Sequence, residues 1–342
     1  MYKKVIFFSI DRLGDYLIRS NVIKNISDKY DYSEIVCSDK NYKLISSQTF
    51  FSKTIIFDEK SKIKNKLKFI FLYFFKKYDS CIVFDGKSIS TLLIFLIRSN
   101  YKFIFIYKKK GLINTILSKL LVFCLKLFNI NYEYLYSRKL IEEKNYDNYP
   151  KKYKIVNKYF QNNNENTYYL DEIELNKYNH LFDKYIIIHL DEKFYDIENI
   201  NSHFQDSLVN LQNKTNKLIF LTSFNNNFEY FYNLSFTKIT NNDLEVKNNN
   251  FSKISIIEDL PLTNFQNLIK NSFLNISCHS GYFVHTSLAF NKKTIDIINE
   301  KDQIWLNTWI TKSSNYKLIY KSSIHSKIDI RDILNRIKNE IN

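Results

Sequence analysis

The sequence predicts a two-domain α/β protein in which each half is a parallel sheet covered by helices in the Rossmann manner. Its 342 residues suffice for two cores, whereas one domain of that size would be unusually large. Short β-rich runs alternate with helical-period segments through the first half, and beyond a polar stretch a second such series begins.

In the first half the predicted strands are Val5–Ser9, Glu34–Cys37, Thr54–Phe57, Cys81–Phe84 and Phe103–Tyr107. Between them Tyr16–Ile26, Lys64–Lys76, Ser90–Ile97 and Leu112–Leu127 space apolar residues by three and four, which predicts helices. From about Asn131 to Asn179 that periodicity fades, and Lys, Asn, Tyr and Glu dominate around Pro150 and Gln161–Asn166. This stretch reads as an interdomain connection with irregular surface, so the domains are set at 1–175 and 176–342. The second series predicts strands at Tyr185–His189, Leu218–Leu221, Lys253–Ile257, Leu274–Ser277, Thr294–Ile298 and Lys317–Tyr320. Helices fill Ser202–Leu211, Asn225–Asn233, Asn264–Lys270 and Tyr282–Ala289, and Ile328–Ile341 forms a closing amphipathic helix. Ligands of such folds sit at the carboxyl ends of the strands.

Apolar residues make up 45% and charged residues 25% of the chain, the balance of a globular protein rather than a disordered or spanning one. The chain holds 29 Phe and 26 Tyr against one Met, four Gly and two Pro. A+T-rich codons encode this set, so base bias in the gene accounts for much of it and for the excess of Lys over Arg. A net charge of +15 suits nucleic acid, anionic lipid or phosphorylated substrates equally. No nucleic-acid recognition module accompanies it, so nucleic acid is not an expected partner.

Cys37, Cys81, Cys124 and Cys278 have no metal-ligand or CxxC spacing and read as small buried apolar residues. The opening MYKKVIFF runs into a strand pattern rather than a leader pattern. Phe69–Phe75, Leu92–Ile97 and Ile113–Ile130 are the most apolar stretches. They are short or broken by Lys119 and Lys126, against the roughly 20 uncharged residues a bilayer requires. The expectation is a cytoplasmic protein, with peripheral contact at the cytoplasmic face of the inner membrane as an option.

Three stretches carry candidate chemistry. The first is the turn after the opening strand, Asp11-Arg12-Leu13-Gly14-Asp15. In a chain with four glycines, Gly14 at a strand-to-helix turn suggests a positive φ or close approach by a ligand. Asp15 at the helix start fits a structural cap as well as a catalytic carboxylate, and position alone leaves both open. The second is Cys278-His279-Ser280-Gly281 with His285 one turn on. Ser280 and Gly281 open a helix whose backbone N–H groups suit a diphosphate, while His285 fits a satisfied core histidine equally well. The third is His189-Leu190-Asp191-Glu192-Lys193, where Lys193 either neutralises a phosphate or is one more surface lysine. His279 and His285 lack a spaced carboxylate or thiolate partner beyond the adjacent Cys278, so no metal is expected.

The Leu13-Gly14-Asp15 turn, and the strand–Ser-Gly–His segment that follows the Leu268-Ile269-Lys270-Asn271-Ser272 helix end, resemble the two motifs of glycosyltransferase family 9, the ADP-heptose:lipopolysaccharide heptosyltransferases. The His189–Lys193 stretch is similar to that family's loop with a phosphate-binding lysine. The resemblance implies a GT-B fold, two Rossmann-like domains facing each other across a cleft, the N-terminal one on the acceptor side and the C-terminal one on the donor side. It implies Asp15 as general base, Ser280 and Gly281 as holders of the donor diphosphate with Lys193, and Gly14 and Arg12 as supporting residues. His279, counted with the donor-binding residues, stands where the family has an Asp that contacts the donor sugar, which leaves the sugar's identity open. His285, counted with the supporting residues, follows Gly281 by four positions where the family has three.

The function so implied is an inverting EC 2.4-class transferase. It moves heptose or a related sugar from a nucleoside-diphosphate donor to a hydroxyl of a lipopolysaccharide core or other cell-surface saccharide, lipid-linked acceptors included. No DxD pair is present, and neither metal nor cofactor is expected beyond the nucleotide-sugar substrate. Lys64–Lys77, with interleaved Phe and Tyr, fits an anionic lipid surface or an ordinary helix with lysines outside. Two rivals are a non-catalytic GT-B-like protein that binds nucleotide sugar or glycan, and another Rossmann-type nucleotide enzyme. The absence of GxGxxG and P-loop motifs counts against the second.

Overall fold

The computed structural model describes residues 2–58, 60–161, 168–171, 178–223, 236–245, 251–258, 260–279, 281–323 and 326–341. The chain divides into two compact units, one of residues 1–171 with Ile304–Thr311 and one of 172–303 with 312–342.

Unit 1 begins β1 (Lys4–Ser9), α1 (Leu13–Ser27), β2 (Tyr32–Cys37), α2 (Asp39–Ser46) and β3 (Lys53–Ile56). It continues α3 (Ile63–Phe74), β4 (Lys77–Val83), α4 (Ser88–Leu96), β5 (Arg98–Lys108) and α5 (Leu112–Leu127). The last elements are β6 (Asn131–Tyr136), α6 (Arg138–Lys144) and α7 (Tyr149–Tyr159). The sheet is parallel in the order β3-β2-β1-β4-β5-β6. Its direction of winding reverses at β1, which is flanked by β2 (Phe8 beside Val36) and β4 (Phe8 beside Val83).

Strand alternation divides the core. Ile6 and Phe8 point to one face, where they cluster with Tyr73 of α3, Leu93 and Ile94 of α4 and Leu125 of α5. Phe7 points to the other and packs on Phe51 and Phe84, beside Tyr153 of α7. Right-handed crossovers require this arrangement, because β3→β4, β4→β5 and β5→β6 all run in one direction across the sheet.

The reading of 131–179 as irregular connection is corrected for its first part, since β6, α6 and α7 belong to unit 1. Tyr132, Tyr134 and Tyr136 supply the alternation of an edge strand, half-buried, and tyrosine does not register as an apolar repeat. Tyr149 and Tyr153 of α7 are buried although Lys151, Lys152 and Lys154 lie between and beside them.

Unit 2 runs β7 (Tyr185–His189), α8 (Ile200–Thr215), β8 (Leu218–Thr222), β9 (Thr237–Ile239), α9 (Asn241–Glu245) and β10 (Ile254–Ile257). Then come α10 (Leu262–Asn271), β11 (Leu274–Ser277), α11 (Gly281–Ala289) and β12 (Thr294–Asn299); α12 (Gln303–Asn307), next in the chain, belongs to unit 1 in all but its first residue, and β13 (Tyr316–Ser322) and α13 (Ile330–Ile341) complete unit 2. This sheet is also parallel, in the order β13-β12-β11-β7-β8-β10-β9. Its strands β7 and β11 are neighbours, with Ser277 beside His189, and α8 packs with α13 on one face over a core of Ile186, Ile188 and Leu208. The predicted helix Asn225–Asn233 lies outside the described residues. The boundary at 176 places everything after it in one domain, yet Ile304–Thr311 sits in unit 1. Trp305 and Trp309 pack on Tyr149, an aromatic contact between distant positions that no local pattern signals.

The predicted helix Lys64–Lys76 is observed as α3 (Ile63–Phe74), and it departs from an ordinary amphipathic one. Tyr73 is its buried residue, whereas Leu67, Phe71 and Leu72 are exposed beside the lysines. Cys37, Cys81 and Cys278 are buried as expected, and loss of water pushes each thiol up to about 12. Cys124, on α5, is half-buried.

Candidate active site

Parallel sheets bind ligands where the winding direction reverses, because the two loops leaving that point diverge and open a crevice. In unit 1 these loops follow β1 and β4. They line a cavity of about 770 Å³ that includes Asp11, Arg12, Asp15, Asp85, Gly86 and Lys87.

Helix α1 begins at Leu13 with the exposed, extended Arg12 as its N-cap, so Asp15 is the third helical residue. Its Oδ2 accepts a 3.3 Å hydrogen bond from the Arg12 amide, so a capping role is real. Among the described residues Oδ1 has no hydrogen-bond partner and Asp15 has no ion-pair partner. Part of Asp15 stays open to solvent, but crowding by the protein, then the nearby Asp11, pushes its carboxyl up to about 6.

Asp11 is differently placed. Its Oδ2 pairs with Arg19, a guanidinium with no solvent exposure. Arg19 also donates to Ser9 Oγ at 2.8 Å and lies over the rings of Phe84 and Tyr153 at 5.4 and 5.7 Å. Asp85 is buried and accepts from the Ile10 amide (2.8 Å), the Lys87 amide (2.9 Å) and Ser90 Oγ (2.9 Å). It therefore ties the two switch-point loops together, and burial followed by Asp11 raises its carboxyl.

Of the two expectations for Gly14, the positive φ is corrected. Gly14 is helical and is not among the glycines with positive φ, which are Gly86 and Gly111. Gly86, at φ +58°, is the residue that must be glycine, since a Cβ there would lie 2.9 Å from the Phe105 carbonyl. Sequence reading passed over Asp85 and Gly86, although an Asp-Gly pair directly after a strand is a turn signal. It missed Arg19 because one arginine in a helix carries no sign of burial.

In unit 2 the reversal lies between β7 and β11, and the two remaining candidate stretches follow those strands. Asp191 Oδ1 accepts from the Lys193 amide at 2.9 Å and caps a 3₁₀ turn over Glu192–Asp196. Lys193 Nζ donates to the His279 carbonyl at 3.3 Å, so the structure brings these two predicted residues together. Buried Lys321 donates to the Lys193 carbonyl and lies 3.6 Å from Asp196. Burial pushes the Asp191 carboxyl up to about 6.

His279 adopts φ +59°, a left-handed conformation held by Asp296 on β12. Asp296 has no exposure. It accepts from the His279 amide at 2.7 Å, Ser277 Oγ at 3.3 Å and Tyr316 OH at 3.0 Å, and its Oδ2 lies 3.6 Å from His279 Nδ1. Asp296 and Lys321 both escaped sequence reading, since each sits inside an ordinary strand pattern.

Gly281 starts α11, and a Cβ built on it would meet nothing within 4 Å beyond its chain neighbours. Ser280 lies outside the described residues. His285 is buried within α11, and burial, then His279, pulls its imidazole down to about 3. It is a neutral core histidine at neutral pH. Among the described residues no group of three His, Cys, Asp or Glu side chains could hold a metal.

No family model matches the sequence, and no curated protein matches it. The similarity lies in the fold. The Escherichia coli heptosyltransferase WaaC with ADP aligns over 99% of this chain and 100% of its own, with a TM-score of 0.64 at 11% identity. Escherichia coli ADP-heptose lipopolysaccharide heptosyltransferase II gives 0.67 at 13% identity, covering 99% and 97%. A glycosyl transferase family 9 structure from Veillonella parvula gives 0.65 at 10%, covering 99% and 95%. A UDP-GlcNAc 2-epimerase from Methanocaldococcus jannaschii is similar at 0.53 and 12%, covering 99% and 92%. At these identities the likeness establishes the architecture, two Rossmann-like domains of the GT-B type.

Proposed function

We propose that this chain is an inverting glycosyltransferase that takes a sugar from a nucleoside diphosphate, with Asp15 as the general base. The observation that carries this reading is the state of Asp15. It is a carboxylate on the wall of a large cavity, free of a counter-ion among the described residues, with an affinity for protons raised to about 6. A base near that value is ionised at neutral pH yet takes a proton more readily than an ordinary aspartate. Asp11, neutralised by Arg19, is not in that state.

In the reaction, an acceptor hydroxyl passes its proton to Asp15 as its oxygen bonds to the anomeric carbon of the donor. The bond from that carbon to the diphosphate oxygen breaks, and the diphosphate leaves with the electron pair. The developing charge is met by Lys193 and the backbone N–H groups at the start of α11. Open space at Gly281 leaves room for the diphosphate against the backbone. The unit 1 cavity is also lined by Arg12, Lys40, Lys66, Lys87 and Lys109, which favours an anionic acceptor such as a phosphorylated or acidic saccharide. Heptose as the donor sugar and a lipopolysaccharide core as the acceptor rest on the motif resemblance.

The fold is shared with sugar-nucleotide epimerases, so the test must distinguish products. The protein is screened by thermal shift against nucleoside diphosphates and nucleotide sugars, then incubated with the stabilising donor and a panel of anionic saccharides. Release of nucleoside diphosphate with a glycosylated acceptor is the expected result. Conversion of the donor to an epimeric nucleotide sugar, or stabilisation by none of the nucleotides, contradicts the proposal.

A further inference from the structure

Helices α3, α4 and α5 lie on one face of the unit 1 sheet and turn Tyr73, Leu93, Ile94 and Leu125 inward. Their outer surfaces are also apolar. On α3, Leu67, Phe71 and Phe75 just beyond its end recur every fourth residue and are 59–64% exposed. On α5, Ile113, Ile116, Leu120, Phe123 and Leu127 form a second stripe, 57–73% exposed, and Leu92 of α4 is exposed beside them. Exposed single hydrophobics are ordinary, but stripes of this length on α3 and α5, joined through α4, which packs on α3 and sets Phe95 against Phe128 just beyond α5, form a patch that water does not favour.

Charge identifies the occupant. The sequences of α3, α4 and α5 contain no acidic residue, while exposed Lys62, Lys64, Lys68, Lys119 and Lys126 interleave with or flank the stripes. A second copy of the chain docked face to face would set lysines against lysines with no carboxylate from these helices between them. A bilayer with anionic headgroups meets both demands, because acyl chains cover the stripes and headgroups pair with the ammonium groups. Among the described residues no helix is long and apolar enough to cross a membrane, so contact would be along the helix sides.

We propose that the outer face of α3–α5 binds the surface of an anionic membrane. Lys66 of α3, Ile89 of α4 and Lys109 just before α5 also line the cavity that holds Asp15. The bound face therefore adjoins the cavity rim, where a substrate anchored in the same membrane could reach it. The membrane contact itself does not depend on the role of Asp15.

The test is co-sedimentation of the full chain with phosphatidylcholine vesicles, with and without phosphatidylglycerol, together with sedimentation velocity in their absence. The wild type should pellet with the phosphatidylglycerol vesicles, less so as salt rises. Phe71→Glu and Leu120→Glu should each lower partitioning by about tenfold or more, and Lys64→Gln with Lys68→Gln should lower it on anionic vesicles alone. Unchanged thermal melting shows that the variants fold; if a glutamate variant does not, Leu120→Ser takes its place and should weaken binding in the same direction. No binding to anionic vesicles, equal binding to neutral ones, or a wild-type dimer that Leu120→Glu dissociates and vesicles do not compete away would each overturn the proposal.

Discussion

Arg19 pairs with Asp11 and, among the described residues, Asp15 has no counter-ion, although all three belong to one loop and the helix that follows it. The guanidinium is wholly buried, so Arg19→Leu would strand a largely buried Asp11 carboxylate. The expected loss is about 3 kcal/mol at neutral pH, measured by urea denaturation. Arg19→Lys should recover only part of it, because one Arg19 nitrogen reaches both Ser9 and Asp11 while the planar guanidinium lies over the Phe84 and Tyr153 rings, a stacking that an ammonium does not reproduce.

Asp15 should make stability pH-dependent in a defined sense. Its carboxyl is raised from 3.8 to about 6 in the folded chain, so the folded state holds the proton more tightly than the unfolded one. The favourable contribution is complete below 3.8 and is lost as pH rises through about 6. Asp15→Asn should therefore match the wild type in acid and exceed it above that range. Allowing for solvent screening of a partly exposed group, the gain is about 1–2 kcal/mol. Thermal melts across pH check this, and equal differences at all pH values would contradict it.

Asp296 should be the main support of the loop at His279. Asp296→Ala removes the acceptor for the His279 amide, Ser277 and Tyr316 and leaves those donors buried or part-buried. The variant should lose about 2–4 kcal/mol and bind nucleotide diphosphates more weakly. Asp296→Asn, which keeps an acceptor oxygen, should lose less. Denaturation and nucleotide titration of both variants measure the difference.

Much of the architecture was legible because both halves follow a strict strand–helix alternation, and β1, β7 and β11 are short apolar runs bounded by polar turns. The places of Asp15 and Lys193, in the turns that follow β1 and β7, were legible because both turns come directly after short apolar runs. The missing parts share a physical cause, namely partners distant in sequence. Tyr132–Tyr136 forms an edge strand through tyrosines, Trp305 and Trp309 return to Tyr149, and Asp296 reads as one polar residue in an apolar strand until β12 is seen beside β11. Gly14 shows the converse, since its rarity suggested a positive φ that is found instead at Gly86.

Gly281 and Lys193 should separate folding from donor binding. A methyl at Gly281 meets no atom within 4 Å, so Gly281→Ala should fold with a stability change within about 1 kcal/mol. A diphosphate at that helix end would lose its close backbone approach, and affinity should fall by about tenfold or more. Lys193→Ala should weaken binding in parallel. Isothermal titration with the stabilising nucleotide reads both, and undiminished affinity in Gly281→Ala would move the diphosphate away from α11.

The most direct test of the central claim is the turnover of Asp15→Asn beside the wild type, with donor and acceptor at saturation and donor binding measured separately. If Asp15 takes the acceptor proton, nucleotide-sugar affinity stays within about twofold while turnover falls by roughly 10²–10⁴, and the rise in wild-type rate near pH 6 vanishes in the variant. Turnover by Asp15→Asn equal to that of the wild type, with the same pH profile, would contradict the account and leave Asp15 as the cap of α1.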